Sequence, residues 1–72
     1  MVSSMTAAEK GERYARLFRK AGAFLAKGNI ARAVESLKEG QELAESLGDL
    51  KMAQRFASEI ASATATKPDD KS

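Results

Sequence analysis

The 72 residues leave room for one small domain, and 43% hydrophobic with 31% charged side chains is the balance of a folded chain rather than a disordered one. Cysteine and histidine are both absent, which removes disulfides, thiolate ligands, the commonest transition-metal ligand and the usual proton shuttle. A chain this short buries only about 60% of the surface its unfolded form exposes, so self-association or a partner is the expected source of further stability.

The net charge of +2 is unevenly placed. Between Ala7 and Lys27 the cations Lys10, Arg13, Arg16, Arg19, Lys20 and Lys27 face only Glu9 and Glu12. Between Asn29 and Leu47 the anions Glu35, Glu39, Glu42 and Glu45 face only Arg32 and Lys38. The two segments are expected to attract one another weakly, or to attract partners of opposite sign. Met1–Thr6 holds no basic cluster followed by an apolar run, and the apolar stretch Ala21–Ala26 is far too short to span a bilayer. The expectation is a cytoplasmic protein with no membrane association.

Residues 1–5 are expected to be a disordered N-terminus, and 6–63 the folded domain. Thr6-Ala7-Ala8-Glu9 has the form of a capping box, in which the threonine hydroxyl accepts a backbone N–H and the glutamate reaches back to the cap. From there Tyr14, Leu17, Phe18, Ala21, Phe24 and Leu25 recur at helical intervals on one face. Gly28-Asn29 supplies a left-handed stop and the next N-cap. The second helix is predicted from about Ile30 to Leu47, with Ile30, Ala33, Val34, Leu37, Gly40, Ala44 and Leu47 as its apolar stripe and Lys38 spaced to pair with Glu42 on the outer face. Gly48-Asp49 repeats the punctuation. A third helix follows from about Leu50 to Ala63, with Leu50, Ala53, Phe56, Ala57 and Ile60 on one side. Residues 64–72 are polar and contain a proline, and read as a disordered tail. Links of two or three residues require neighbouring helices to pack antiparallel. The fold class is all-α: a three-helix arrangement of one hairpin and a third helix capping it.

The stretch Ala21-Gly22-Ala23-Phe24-Leu25-Ala26-Lys27-Gly28-Asn29-Ile30-Ala31-Arg32-Ala33-Val34 resembles the core of a tetratricopeptide repeat. In that family a small residue precedes an aromatic by three, a glycine turn follows the aromatic by four, and an apolar residue and an alanine open the second helix. Ala21, Phe24, Gly28, Ile30 and Ala33 match those roles, and Leu37 matches the large apolar residue one turn later. Leu43-Ala44-Glu45-Ser46-Leu47-Gly48-Asp49 resembles the ending of the longer-repeat subclass. A second first-helix then begins, with Tyr14, Leu17, Ala21 and Phe24 falling on Ala53, Phe56, Ile60 and Ala63. The family's early tryptophan is Leu17, its preferred glycine is Ala21, an expected alanine is Gly40, and its terminal proline is missing. The resemblance covers about one and a half repeats, from Arg13 to Ala63. It implies protein–protein binding, and since such solenoids need about three repeats to bury their faces, a second chain is expected to complete the surface.

The apolar arc of the first helix spans roughly 200° at 100° per residue, wider than one neighbour requires. The third helix is similarly over-wide, with Met52 and Phe56 beyond a centre at Leu50 and Ala57. Cover of the first arc by the third helix is one reading; the other makes Ala15, Phe18, Gly22, Leu25, Met52 and Phe56 the candidate partner-binding or dimer residues. Gly40 in the middle of an apolar stripe points to a close helix crossing, since glycine otherwise costs a helix about 1 kcal/mol relative to alanine; Gly22 points to a close contact with another chain. The basic face of Arg13, Arg16, Arg19, Lys20 and Lys27 is the candidate surface for an acidic partner or, in an alternative reading, for nucleic acid. Nucleic acid fits less well, because the net charge is small and the aromatics lie on the apolar face. No catalytic residue, metal ligand set or cofactor motif stands out: Glu35, Glu39 and Glu42 form a ladder without a second carboxylate helix, and Ser3, Ser4 and Ser36 have no base or glycine loop near them. The expected function is a small non-catalytic interaction module, an adaptor or accessory subunit, that self-associates as a dimer.

Overall fold

A computed structural model describes residues 5–65 as three α-helices, with no strand among them: α1 (Ala7–Ala26), α2 (Ile30–Ser46) and α3 (Leu50–Ala65). The protein is all-α. Each boundary from the start of α1 to the start of α3 follows from local hydrogen-bond chemistry. At the start of α1 the Thr6 hydroxyl accepts from the Glu9 N–H at 3.1 Å while the Thr6 N–H donates to the Glu9 carboxylate at 3.0 Å. Two of the donors that a helix start leaves orphaned are thereby satisfied.

The two interhelical turns are copies of one device. In the first, the Asn29 N–H donates to the Phe24 carbonyl (2.8 Å) and the Gly28 N–H to the Leu25 carbonyl (2.9 Å). In the second, Asp49 donates to Ala44 (2.8 Å) and Gly48 to Glu45 (3.0 Å). This paired closure needs a left-handed residue between the helices, and Gly28 and Gly48 take it at φ 79° and 74°. The residue after each glycine then caps the next helix: the Asn29 side chain accepts from the Arg32 N–H, and Asp49 from the Met52 N–H. With stop and start sharing three residues, each helix must fold back on its predecessor.

Two boundaries differ from the sequence expectation. Thr64 and Ala65 belong to α3 rather than to a tail, and the Thr64 hydroxyl donates back to the carbonyls of Ile60 and Ala61. Met5, expected within a disordered N-terminus, is half-buried. The remainder of the segments expected to be disordered, 1–4 and 66–72, lies outside the described residues.

Helix α2 is the central element, packed against α1 on one side and α3 on the other. Its buried positions are Ala33, Ser36, Leu37, Gly40 and Ala44. The remaining core is Tyr14 and Ala21 from α1, with Ala53, Phe56 and Ala63 from α3. Alanine dominates this list, so the helices approach closely and little volume is left between them. Among the described residues Phe56 is the one large side chain wholly removed from solvent. Its ring lies on the backbone of α2 at Gly40, where an added Cβ would overlap ring atoms Cε1 and Cζ and sit 2.7 Å from Cδ1. The close crossing expected at Gly40 is therefore a seat for an aromatic ring.

Candidate functional site

Two aromatic contacts join α1 to α3 across that seat. Phe18 stacks parallel on Phe56, with ring centroids 4.4 Å apart and planes inclined by 4°. Tyr14 meets the same ring edge-on at 5.6 Å and 64°. The Arg55 guanidinium lies 5.5 Å from the Phe18 ring centroid, a cation–π distance.

This arrangement removes Phe56 from the partner-binding set read from the sequence. Phe56 is 0% exposed and cannot meet another chain. Phe18 is half-buried because Phe56 covers one of its faces, and Met52 is half-buried against the same core. Ala15 and Gly22 are exposed, and Leu25 is 39% exposed. Gly22 has open space where a Cβ would stand, so no close contact within the chain requires a glycine there. The apolar arc looked over-wide because α3 faces α1 through Phe56, and Phe18 is spent on that contact. Leu50, placed by sequence on the buried side, is 71% exposed. Helix α3 turns its Ala53–Phe56–Ile60–Ala63 line inward, and Leu50 stands about 120° round from Phe56 at 100° per residue.

A polar latch secures the same end of the molecule. Asp49, besides capping α3, accepts a hydrogen bond from the Tyr14 hydroxyl (3.2 Å) and pairs with the Lys10 ammonium (3.1 Å), both at Oδ2. Its carboxyl is held below the usual carboxylate range, chiefly by the Lys10 hydrogen bond. Burial works against that shift, while the Met52 N–H and the Tyr14 hydroxyl reinforce it. The Tyr14 phenol is pushed up, first by burial and then by its hydrogen bond to Asp49 and that residue's charge. For Asp49 the unfolded chain takes up the proton first as pH falls. The stabilisation is therefore complete above the ordinary carboxylate range and is lost as pH drops through the lowered folded-state value. For Tyr14 it is complete below the ordinary phenol range and is lost as pH rises through the raised value. Asp49→Asn keeps a capping side chain but removes the charge. Urea midpoints measured from about pH 7 down to about pH 2 should fall less steeply for the variant than for the native chain; parallel profiles would show that the latch does not couple to folding.

The opposite side of the α1–α2 hairpin holds an open groove of about 590 Å³. Arg13, Arg16 and Lys20 of α1 line one wall, Glu39 and Glu42 of α2 the other, with Leu17 and Leu43 between them and Ser46 at one end. All five charged residues are exposed and the two leucines are half-buried. The single ion pair within 4.0 Å among the described residues is Lys10–Asp49, so the two walls face each other without closing on one another. The expected Lys38–Glu42 pair does not form either. Of the basic face read from the sequence, Arg13, Arg16 and Lys20 come together in the groove; Arg19 and Lys27 are exposed and do not line it.

Comparison with known protein families, curated proteins and solved structures returns no match. The site is therefore read from its own chemistry. Among the described residues no three of His, Cys, Asp and Glu gather to hold a metal ion, and no helix is long and apolar enough to cross a membrane. What the groove presents is an apolar floor between walls of opposite charge.

The sequence singles out Arg13, Arg16 and Lys20 as part of a candidate binding face but reads Glu39 and Glu42 only as members of an outer carboxylate ladder. The excess of cations in α1 and of anions in α2 was the available signal of their confrontation. In the sequence Leu17 and Leu43 read as packing residues of the repeat-like pattern; in the fold their half-exposed edges form the groove floor.

Proposed function

We propose that the chain is a small, non-catalytic, cytoplasmic interaction module, built like one and a half tetratricopeptide repeats, that binds protein through the α1–α2 groove. The observation that carries this reading is the pair of unclosed, oppositely charged walls over Leu17 and Leu43. A protein surface can meet both signs at once and cover the apolar floor, and charge arranged in this way favours a complementary partner and register. The repeat-like architecture is supported by the burial of Ala21, Ala33 and Leu37 where the family places its small and large packing residues, with Phe24 and Ile30 half-buried beside them.

Nucleic acid is less compatible with the same geometry. A phosphate backbone drawn to Arg13, Arg16 and Lys20 would run against Glu39 and Glu42 in the same groove. The test uses immobilised chain in an extract of the source cell, with the Arg16→Glu/Lys20→Glu variant alongside. Protein retained by the native chain, free copies of the chain included, should be lost from the variant. Identical capture by both would overturn binding through the groove. A titration with duplex DNA and single-stranded RNA at low salt should show no saturable binding; saturable binding that weakens steeply with salt would replace the reading.

A further inference from the structure

We propose that the groove's occupant is a second copy of the chain, related to the first by a two-fold axis running along the groove, parallel to α1 and α2. The proposal rests on the interaction-module reading and names its partner.

The charge pattern selects both the partner and the axis. A half-turn about an axis lying along the groove keeps every residue at its own height and exchanges left for right. The α1 wall of one copy then lies on the α2 wall of the other, and the same contact recurs on the far side of the axis. Counted from the Gly28 turn, Arg16 lies 12 residues back and Glu42 14 residues on, and Lys20 lies 8 back and Glu39 11 on, so at about 1.5 Å per residue each pair stands within about 5 Å of one height. At the floor, Leu17 of each copy faces Leu43 of the other across the axis. The competing two-fold, perpendicular to the helices and across the groove, would set cations on cations and carboxylates on carboxylates. Only the first operator makes the surface complementary to itself.

The size of the face sets the strength. A two-helix face about 25 Å long and 20 Å wide buries roughly 500 Å² per copy, about 1,000 Å² in all, just under the range of stable dimers. The pairing should therefore be concentration-dependent, in the micromolar range or weaker. Its charged contacts are solvent-accessible, and screening shortens their reach from about 10 Å at 0.1 M salt to about 3 Å at 1 M.

Sedimentation velocity on the intact chain, from about 10 μM to about 1 mM, tests this with two reversed variants, Arg16→Glu/Lys20→Glu and Glu39→Lys/Glu42→Lys. The native chain should move from monomer to dimer across the series, with a dissociation constant about tenfold weaker in 1 M salt than in 0.1 M. Each variant alone should remain a helical monomer, since its homodimer would oppose like charges. Mixed in equal amounts, the two should form a heterodimer, in which both contacts are again complementary. Should reversal of one wall unfold the hairpin, the fourfold variant carrying both reversals restores attraction within and between copies, and it should dimerise.

A native chain that is monomeric throughout overturns the proposal. So does a single-wall variant that dimerises as the native chain does, a folded pair whose mixture stays monomeric, or a fourfold variant that is monomeric. A monomeric native chain that still captures a different protein, with the capture lost on wall reversal, ends self-pairing and leaves the interaction-module reading standing.

Discussion

Phe56→Ala is expected to unfold the chain or bring it to the edge of unfolding at room temperature. Large-to-small changes of a buried phenylalanine cost about 3–5 kcal/mol, the lost transfer energy adding to the cavity left behind. At about 0.05–0.15 kcal/mol per residue, a chain of this length has roughly 4–11 kcal/mol to lose, and the lower part of that range suits a core made largely of alanine. The cavity would also be hard to fill. The ring lies between the α2 backbone at Gly40 and the rings of Tyr14 and Phe18, and a backbone has no side chain to swing into the space. Urea and thermal melts followed by far-ultraviolet circular dichroism measure the loss. A variant that melts within a few degrees of the native chain would show that Phe56 is not the keystone its burial makes it.

Gly40→Ala should destabilise although it replaces the poorest non-proline helix former by the best. On an exposed helix the change is worth about 1 kcal/mol in favour of alanine. At Gly40 the new methyl would occupy the position of the Phe56 ring, and overpacking of that kind costs about 1–3 kcal/mol or more. The ring cannot retreat without parting from Phe18 and Tyr14, so the cost should fall in the upper part of that range; less the helix gain, the net loss should be about 1–2 kcal/mol, or roughly 4–16 °C in melting temperature for a chain of this size. Gly22→Ala is the internal control, because nothing stands where its Cβ would go, and it should raise stability by up to about 1 kcal/mol. A Phe56→Leu change should hurt the native chain yet partly rescue Gly40→Ala. Such non-additivity is what contact between the two sites requires; simple addition of the two losses would separate them.

Both predictions turn on one contact between residues that sequence reasoning treated separately. Gly40 was recognised as a close crossing because a glycine in an apolar stripe has to compensate for its helix cost. The sequence alone leaves Phe56 on an outward edge of α3, because its apolar neighbours Leu50, Ala53, Ala57 and Ile60 admit more than one centre. An arc of that width is compatible with several rotations of the helix about its axis. The rotation realised is the one that seats a ring on Gly40 and leaves Leu50 in solvent. Likewise Phe18, taken as the surplus of α1, faces the ring it stacks on.

What the sequence determined by itself is everything decided within half a dozen residues. The Thr6–Glu9 box, the glycines at 28 and 48, and the Asn29 and Asp49 caps set where α1 and α2 begin and end and where α3 begins, because their hydrogen bonds close between near neighbours along the chain. From short turns and apolar periodicity the antiparallel order and the all-α class follow. Only the tertiary structure decided which apolar residues are interior, that Asp49 reaches back 35 residues to Tyr14, and that the basic edge of α1 confronts the acidic edge of α2 across an open groove. Those relations depend on how far each helix is rotated and how closely it crosses its neighbour. Ring volume at Phe56 and the missing Cβ at Gly40 settle that together, and neither residue reveals it alone.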